Sequence, residues 1–295
     1  MSTTTDKTDP RQVAPKPPFE EARQSPPGSE EAMRTKPDHG EQTYVGTGKL
    51  RGRRALITGG DSGIGRAVAL SFAREGADVC FSFLSEENDA RETESLLARE
   101  GHKVFSVRGD LATQHHCEEL AKKTVNGLGG LDILVNNAAF QMEHETIEEL
   151  TPEEWDYTFR TNIYSMFFLC RAAWSHFQPG ASIINTASVQ AYQPSPKLLA
   201  YASTKGAIVT FTKSLSDLGI KKGVRVNAVA PGPVWTPLIP ATMSPDHVKE
   251  FGKSTQMGRP AQPAELAPTY VFLASNESRF VTGAVLDLTG GKMLP

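Results

Sequence analysis

From Lys49 onward, short apolar runs alternate with longer helical patterns, and this alternation leaves few folds open. The runs at 53–58, 77–83, 102–107, 131–138, 181–187, 224–230 and 284–288 read as seven strands. Most are nearly continuous Val, Ile, Leu and Ala rather than apolar at every second residue, as befits strands covered on both faces of a parallel sheet. Helical patterns fill 63–75, 88–100, 115–128, 155–177, 200–218 and 264–274. Each connection between the first six strands therefore contains a helix, which predicts right-handed βαβ units. The expected fold is α/β: a Rossmann-type, doubly wound, seven-stranded parallel sheet flanked by helices, one domain over 46–295.

Residues 1–45 read differently. Pro10, Pro15, Pro17, Pro18, Pro26, Pro27 and Pro37 fall among Ser, Thr, Glu, Gln and Lys, with almost no aliphatic residues. Such a segment cannot bury enough apolar surface to offset its ordering entropy, so a disordered Pro-rich extension is expected. The alternative is an arm that wraps a neighbouring subunit, anchored by Phe19 and Tyr44. A net charge of −3 gives no electrostatic reason for a nucleic-acid or anionic-membrane partner. No apolar stretch is long enough to cross a bilayer, and Asp6, Asp9, Glu20 and Glu21 argue against a transit peptide, so the cytoplasm is the expected location. Cys80, Cys117 and Cys170 are far apart and the histidines are scattered, which predicts no metal site.

After the first strand comes Thr58-Gly59-Gly60-Asp61-Ser62-Gly63-Ile64-Gly65. A glycine-rich turn opening a helix lets backbone N–H groups approach a pyrophosphate at the positive helix end. The spacing, Gly-x-x-x-Gly-x-Gly, is not the usual dinucleotide fingerprint, and a tight turn without a ligand is the alternative. In NAD-binding sheets an acid about 20 residues further on accepts from the ribose hydroxyls. Here the second strand ends Ser82-Phe83-Leu84-Ser85, with no acid until Glu86. Ser82, Ser85 or Arg66 would then be free to bond a 2′-phosphate, which favours NADP(H) over NAD(H).

The fifth strand ends at Ser188, on the edge of the sheet where ligands bind in such folds. Tyr201 follows, with Lys205 four residues on, so both side chains share one helix face. Carbonyl reduction needs a proton donor near the oxygen, and alcohol oxidation needs the reverse. Free tyrosine, with a pKa of about 10, is a poor base at neutral pH. A neighbouring ammonium would favour phenolate, and a drop of about three units corresponds to roughly 4 kcal/mol. Ser188 would hold the substrate oxygen toward Tyr201.

Taken in order, these motifs resemble the compact branch of the short-chain dehydrogenase/reductase family over roughly residues 49 to 291. The resemblance implies a nicotinamide cofactor held by the turn Gly59, Asp61, Ser62, Gly63, Ile64 and Gly65. It implies Asp110 and Leu111 at the adenine ring, and Asn137, Ala138 and Ala139 along the cofactor after strand four. Pro231, Gly232, Val234 and Thr236 would contact the nicotinamide. Asn162 would hold a proton-relay water, completing a tetrad with Ser188, Tyr201 as general acid/base and Lys205 on the nicotinamide ribose. Ala139 stands where the family usually has Gly, Ala187 where a second Ser is common, and Leu288-Thr289-Gly290-Gly291 lacks the usual Asp.

The N-terminus, the Gly60-Asp61-Ser62 insert and the run 190–196 narrow the resemblance to the glucose/ribitol dehydrogenase-like, general-stress subgroup. That implies a small aldehyde, sugar or polyol substrate and a homotetramer paired through the long helices at 155–177 and 200–218. Substrate specificity is expected in a lid over 235–257. Two other readings stay open: a 3-oxoacyl-carrier-protein-type reductase, and a catalytically silent NADP-binding sensor or scaffold. An enoyl reductase is disfavoured, since it resembles Tyr-x6-Lys rather than Tyr-x3-Lys.

Overall fold

A computed structural model describes residues 8–292. Seven parallel strands form one sheet in the order β3-β2-β1-β4-β5-β6-β7. They are β1 (Arg54–Thr58), β2 (Asp78–Phe83), β3 (Val104–Arg108), β4 (Ile133–Asn136), β5 (Ser182–Thr186), β6 (Arg225–Pro231) and β7 (Val285–Leu288). Every residue of β4, β5 and β6 is buried, as the unbroken apolar runs predict, while the edge strands β3 and β7 are only partly covered. Polar residues inside the central strands find partners: Asn136 donates to Asn185 at 2.9 Å, and Asn185 to the helical Thr212 at 2.9 Å.

The helices are α1 (Gly63–Arg74), α2 (Glu87–Ala98), α3 (Gln114–Leu128), α4 (Pro152–Phe159), α5 (Ser165–Ala173), α6 (Leu199–Ile220), α7 (Leu238–Thr242), α8 (Pro245–Lys249) and α9 (Pro263–Ala274). One core lies under α1 and α9 and a second under α3 and α5, on opposite faces of the sheet. Strand order reverses between β1 and β4, which opens a crevice above their carboxyl ends.

Two expectations need correction. The helix expected over 155–177 is broken: α4 and α5 are separated by a π turn at Arg160–Tyr164. An i→i+5 turn admits one extra residue. The buried Asn162 in it turns its side chain onto the backbone of Phe140, accepting from N–H at 2.7 Å and donating to C=O at 2.8 Å.

Residues 8–45, expected to be disordered, lie against their own body. They form no helix or strand, and their ordering comes from a few anchors. Phe19 stacks on Trp235 with ring centroids 3.9 Å apart. Tyr44 donates to Glu75 at 2.7 Å. Both proposed intersubunit anchors are thus used within the chain. Residues 1–7 of the expected extension lie outside the described residues. No helix among the described residues is long and apolar enough to cross a membrane.

Candidate active site

The crevice at the sheet's reversal point is a cleft of about 380 Å³. Its floor is the turn between β1 and α1. Gly59 and Gly63 adopt positive φ, +63° and +51°. A Cβ on Gly65 would stand 1.7 Å from the Gly59 carbonyl oxygen, so only glycine lets α1 start this close to the strand. Thr58 fixes the next wall, its hydroxyl accepting from the N–H groups of Asn137 at 2.8 Å and Ala138 at 3.0 Å. The result is a glycine-lined backbone cradle at a helix N-terminus, a setting that suits a pyrophosphate, with the first helix N–H, that of Gly63, already bonded by the Glu30 carboxylate at 2.6 Å.

Toward the end near β2 the wall holds Asp61, Ser62, Ser82, Leu84 and Glu86. The Ser82 hydroxyl is buried without a hydrogen-bond partner. Burial, reinforced by Glu86 and Asp89, pushes the Asp61 carboxyl up to about 7. The strand tip is therefore not free of acids, as the sequence suggested. Arg66 does not reach this wall. Its guanidinium donates to the carbonyls of Asp61 (2.9 Å) and Asp89 (3.0 Å) and pairs with Glu30 and Glu92, both at 2.9 Å. Ser85 also turns away, donating to Glu86 at 2.5 Å.

At the other end, β5 and α6 deliver the reactive groups. Tyr201 hydrogen-bonds Ser188, whose oxygen also accepts from the Gln190 N–H at 3.1 Å. Lys205 is buried one turn further on, donating to the Thr186 carbonyl at 2.7 Å with its nitrogen 5.1 Å from the Tyr201 ring centre. Burial pushes the Tyr201 phenol up to about 12 and the Lys205 ammonium down to about 7. In the protein alone, desolvation thus outweighs the lowering by Lys205 expected from the sequence. The phenol keeps its proton at neutral pH, the form that can donate to a carbonyl oxygen.

A family model described as Enoyl-(Acyl carrier protein) reductase matches residues 59–292. The chain belongs to the short-chain dehydrogenase/reductase family. It is an NAD(P)-dependent oxidoreductase by that membership. "Uncharacterized oxidoreductase YhdF" of Bacillus subtilis is 49% identical over 268 residues, covering 91% of this chain and 93% of that one. "NADPH-dependent aldehyde reductase 1, chloroplastic" of Arabidopsis thaliana is 47% identical over 275 residues, covering 91% of this chain and 96% of that one. "Glucose and ribitol dehydrogenase" of Daucus carota is 46% identical over 278 residues, covering 92% of this chain and 96% of that one. Among solved structures, a short-chain dehydrogenase from Burkholderia cenocepacia J2315 in complex with NADP superposes with a TM-score of 0.77 at 29% identity, covering 82% of this chain and 98% of that one.

Of the short-chain dehydrogenase/reductase positions expected from the sequence, Gly59, Asp61, Ser62, Gly63, Ile64, Ser82, Asp110, Leu111, Asn137, Ala138, Ala139, Tyr201, Lys205 and Thr236 line the cleft. Gly65, Ser85, Asn162, Ser188, Pro231, Gly232 and Val234 are not part of its lining, though Ser188 reaches it through its hydrogen bond to Tyr201. Gly232, for instance, donates to the Leu288 carbonyl at 2.9 Å. Asp110 also turns its own loop, accepting from the Ala112 N–H at 2.8 Å. Sequence reasoning missed Tyr157 and Thr161, which line the cleft from α4 and the π turn, and Pro26 and Pro27, which line it from the N-terminal segment. The regular helical pattern at 155–177 hid the first pair, and nothing local marks the second.

Proposed function

We propose that this protein reduces small aldehydes or sugar carbonyls, or oxidises the matching alcohols, with Tyr201 as general acid/base. The observation that carries the reading is the pair Tyr201 and Lys205 at one end of a cleft whose other end is a glycine cradle, with Ser188 hydrogen-bonded to Tyr201 behind them. The bound nicotinamide supplies or takes the hydride. Ser188 orients the carbonyl oxygen, and Tyr201 gives it a proton as negative charge develops there. Lys205, held by Thr186, sits where it can bond the nicotinamide ribose and offset charge on the phenol oxygen. Asn162, pinned to Phe140, keeps the π turn in shape beside α6, where it also donates to Thr204 at 3.0 Å. The aldehyde and sugar class rests on the names of the Arabidopsis and carrot relatives. Steady-state oxidation of NADPH and NADH over a panel of aldehydes, ketones and ketoses tests it, and turnover confined to acyl thioesters would overturn it.

NADP(H) is the proposed preferred form, supported by the NADPH-named relative, the NADP-bound neighbour and the unpartnered Ser82 hydroxyl. Asp61 limits that preference. Below about pH 7 its carboxyl is neutral and tolerates a 2′-phosphate, and above it the carboxylate repels one. The ratio of kcat/KM for NADPH to that for NADH should therefore fall, by about tenfold, between pH 6 and pH 8. Asp61→Ser should raise the ratio and remove its pH dependence. A ratio flat with pH in the parent protein would contradict this role.

A homotetramer in the cytoplasm completes the proposal. Trp155, Tyr164 and Phe167 around α4 and α5, with Leu218 and Ile220 on α6, are large apolar side chains left exposed on the helices through which the family pairs. The three cysteines are free and buried, which suits a reducing compartment. Light scattering coupled to gel filtration would read the assembly directly.

A further inference from the structure

The N-terminal segment crosses both halves of the active site. At one end Phe19 and Met33 join Trp235, Ile239, Met243, Val248 and Phe251 in one apolar cluster, so this segment is the underside of α7 and α8. The indole N–H of Trp235 donates to the Thr35 carbonyl at 2.8 Å, and the N–H groups of Phe19 and Gln24 donate to the carbonyls of Lys249 and Pro240. Between the two ends, Pro26 and Pro27 form part of the cleft wall.

At the other end Glu30 reaches the phosphate-binding turn itself. Its Oε1 accepts from the Gly63 N–H, the first of α1, at 2.6 Å. Its Oε2 pairs with Arg66 at 2.9 Å, and His39 lies 2.8 Å from Oε1. The Glu30 N–H donates in turn to Asp89 at 2.8 Å. Glu30, Arg66, His39 and Asp89 are all buried. A charge so placed is costly to bury unless paired, and this one is paired on three sides. A carboxylate tied to both a helix N–H and a guanidinium of the same helix fixes that helix start in position and orientation.

We propose that Glu30 is a positioning residue for the dinucleotide. It holds the first turn of α1 against residues 19–39, and that strap in turn holds the lid formed by α7 and α8. Cofactor binding and lid order are thereby coupled through a segment outside the βαβ units. The inference rests on the reading of the cleft as the dinucleotide site. A fixed turn need not be ordered at binding, so the strap lowers the entropic cost of cofactor capture.

The test compares Glu30→Ala and Glu30→Gln with the parent full-length enzyme. Glu30→Ala removes the anchor and should raise the KM for the reduced cofactor about tenfold, the size of one lost charge-assisted hydrogen bond. Its kcat at saturating cofactor should stay within about threefold, since Glu30 bonds Gly63, Arg66, His39 and Asp89 and none of Ser188, Tyr201 or Lys205. Glu30→Gln keeps an acceptor for the Gly63 N–H and should recover much of the loss. Phe19→Ala, at the far end of the strap, should also raise the cofactor KM. Should Glu30→Ala fail to fold, Glu30→Gln and Phe19→Ala still decide the matter by the same readout. An unchanged cofactor KM in the variants that fold would reduce Glu30 to a stability role. A lower KM in Glu30→Ala would show a carboxylate that merely competes with cofactor phosphates, and would overturn the proposal too. If the parent enzyme binds neither NADPH nor NADH, the reading of the cleft fails first, which is a separate result.

Discussion

Tyr201→Phe should lower kcat by about a thousandfold while leaving cofactor affinity within about threefold of the parent. The expectation follows from where the hydroxyl sits. Tyr201 packs against the lid cluster through its ring, which phenylalanine reproduces, so the cleft should keep its shape. What is lost is the one protonated oxygen that meets both Ser188 and the space above the cofactor cradle. A thousandfold fall corresponds to about 4 kcal/mol of transition-state stabilisation, within the range of a single acid/base group. Cofactor titration by tryptophan fluorescence, run beside the kinetics, separates the two effects. Turnover near the parent rate would remove Tyr201 from the chemistry and leave Lys205 or a water as the proton source.

Deleting residues 1–40 should destabilise the enzyme severely. The deletion takes Phe19 and Met33 out of the cluster that covers Trp235, and a lost core aromatic alone costs about 3–5 kcal/mol. It also takes Glu30 from the Arg66 guanidinium, which keeps Glu92 and the Asp61 and Asp89 carbonyls, so this lost pair costs less than the about 3–5 kcal/mol of a charge left wholly unpaired. At about 2–4 °C per kcal/mol for a chain of this size, Tm should fall by more than about 10 °C, or the product should be insoluble. Scanning calorimetry of the full and truncated chains reads this directly. A Tm within a degree or two of the parent would mean that the contacts of residues 8–40 contribute little, and would return the segment to the solvated tail that its composition suggests.

The two predictions differ in how far the sequence foretold them. Tyr201, Lys205 and Ser188 were legible because their relation is local: a helix puts i and i+4 on one face, and a strand end marks the sheet edge. The seven strands were legible because burial on both faces leaves unbroken apolar runs such as Ile133-Leu134-Val135. The turn at Gly59–Gly65 was legible because close backbone approach demands glycine. The strap was not, since Phe19 and Met33 are isolated apolar residues in a Pro-rich run, and their partners lie some two hundred positions away. Glu30 looked like one more solvated acid. The π turn was hidden because its cause, the bond from Asn162 to Phe140, is tertiary. Asp61 and Glu86 come together only when the β1 and β2 ends lie side by side, where Thr58 pairs with Ser82.

The central claim is that this cleft moves a hydride between a nicotinamide and a carbonyl carbon. The most direct measurement follows the label: reduced cofactor carrying deuterium at its transferable position is incubated with a small aldehyde, and the alcohol is analysed by mass spectrometry. The account predicts one deuterium on the product's carbinol carbon with the parent enzyme and almost none with Tyr201→Phe. Cofactor that binds the parent enzyme tightly yet delivers no deuterium to any member of a broad aldehyde, ketone and ketose panel would contradict it, and would mark the protein as a dinucleotide-binding scaffold.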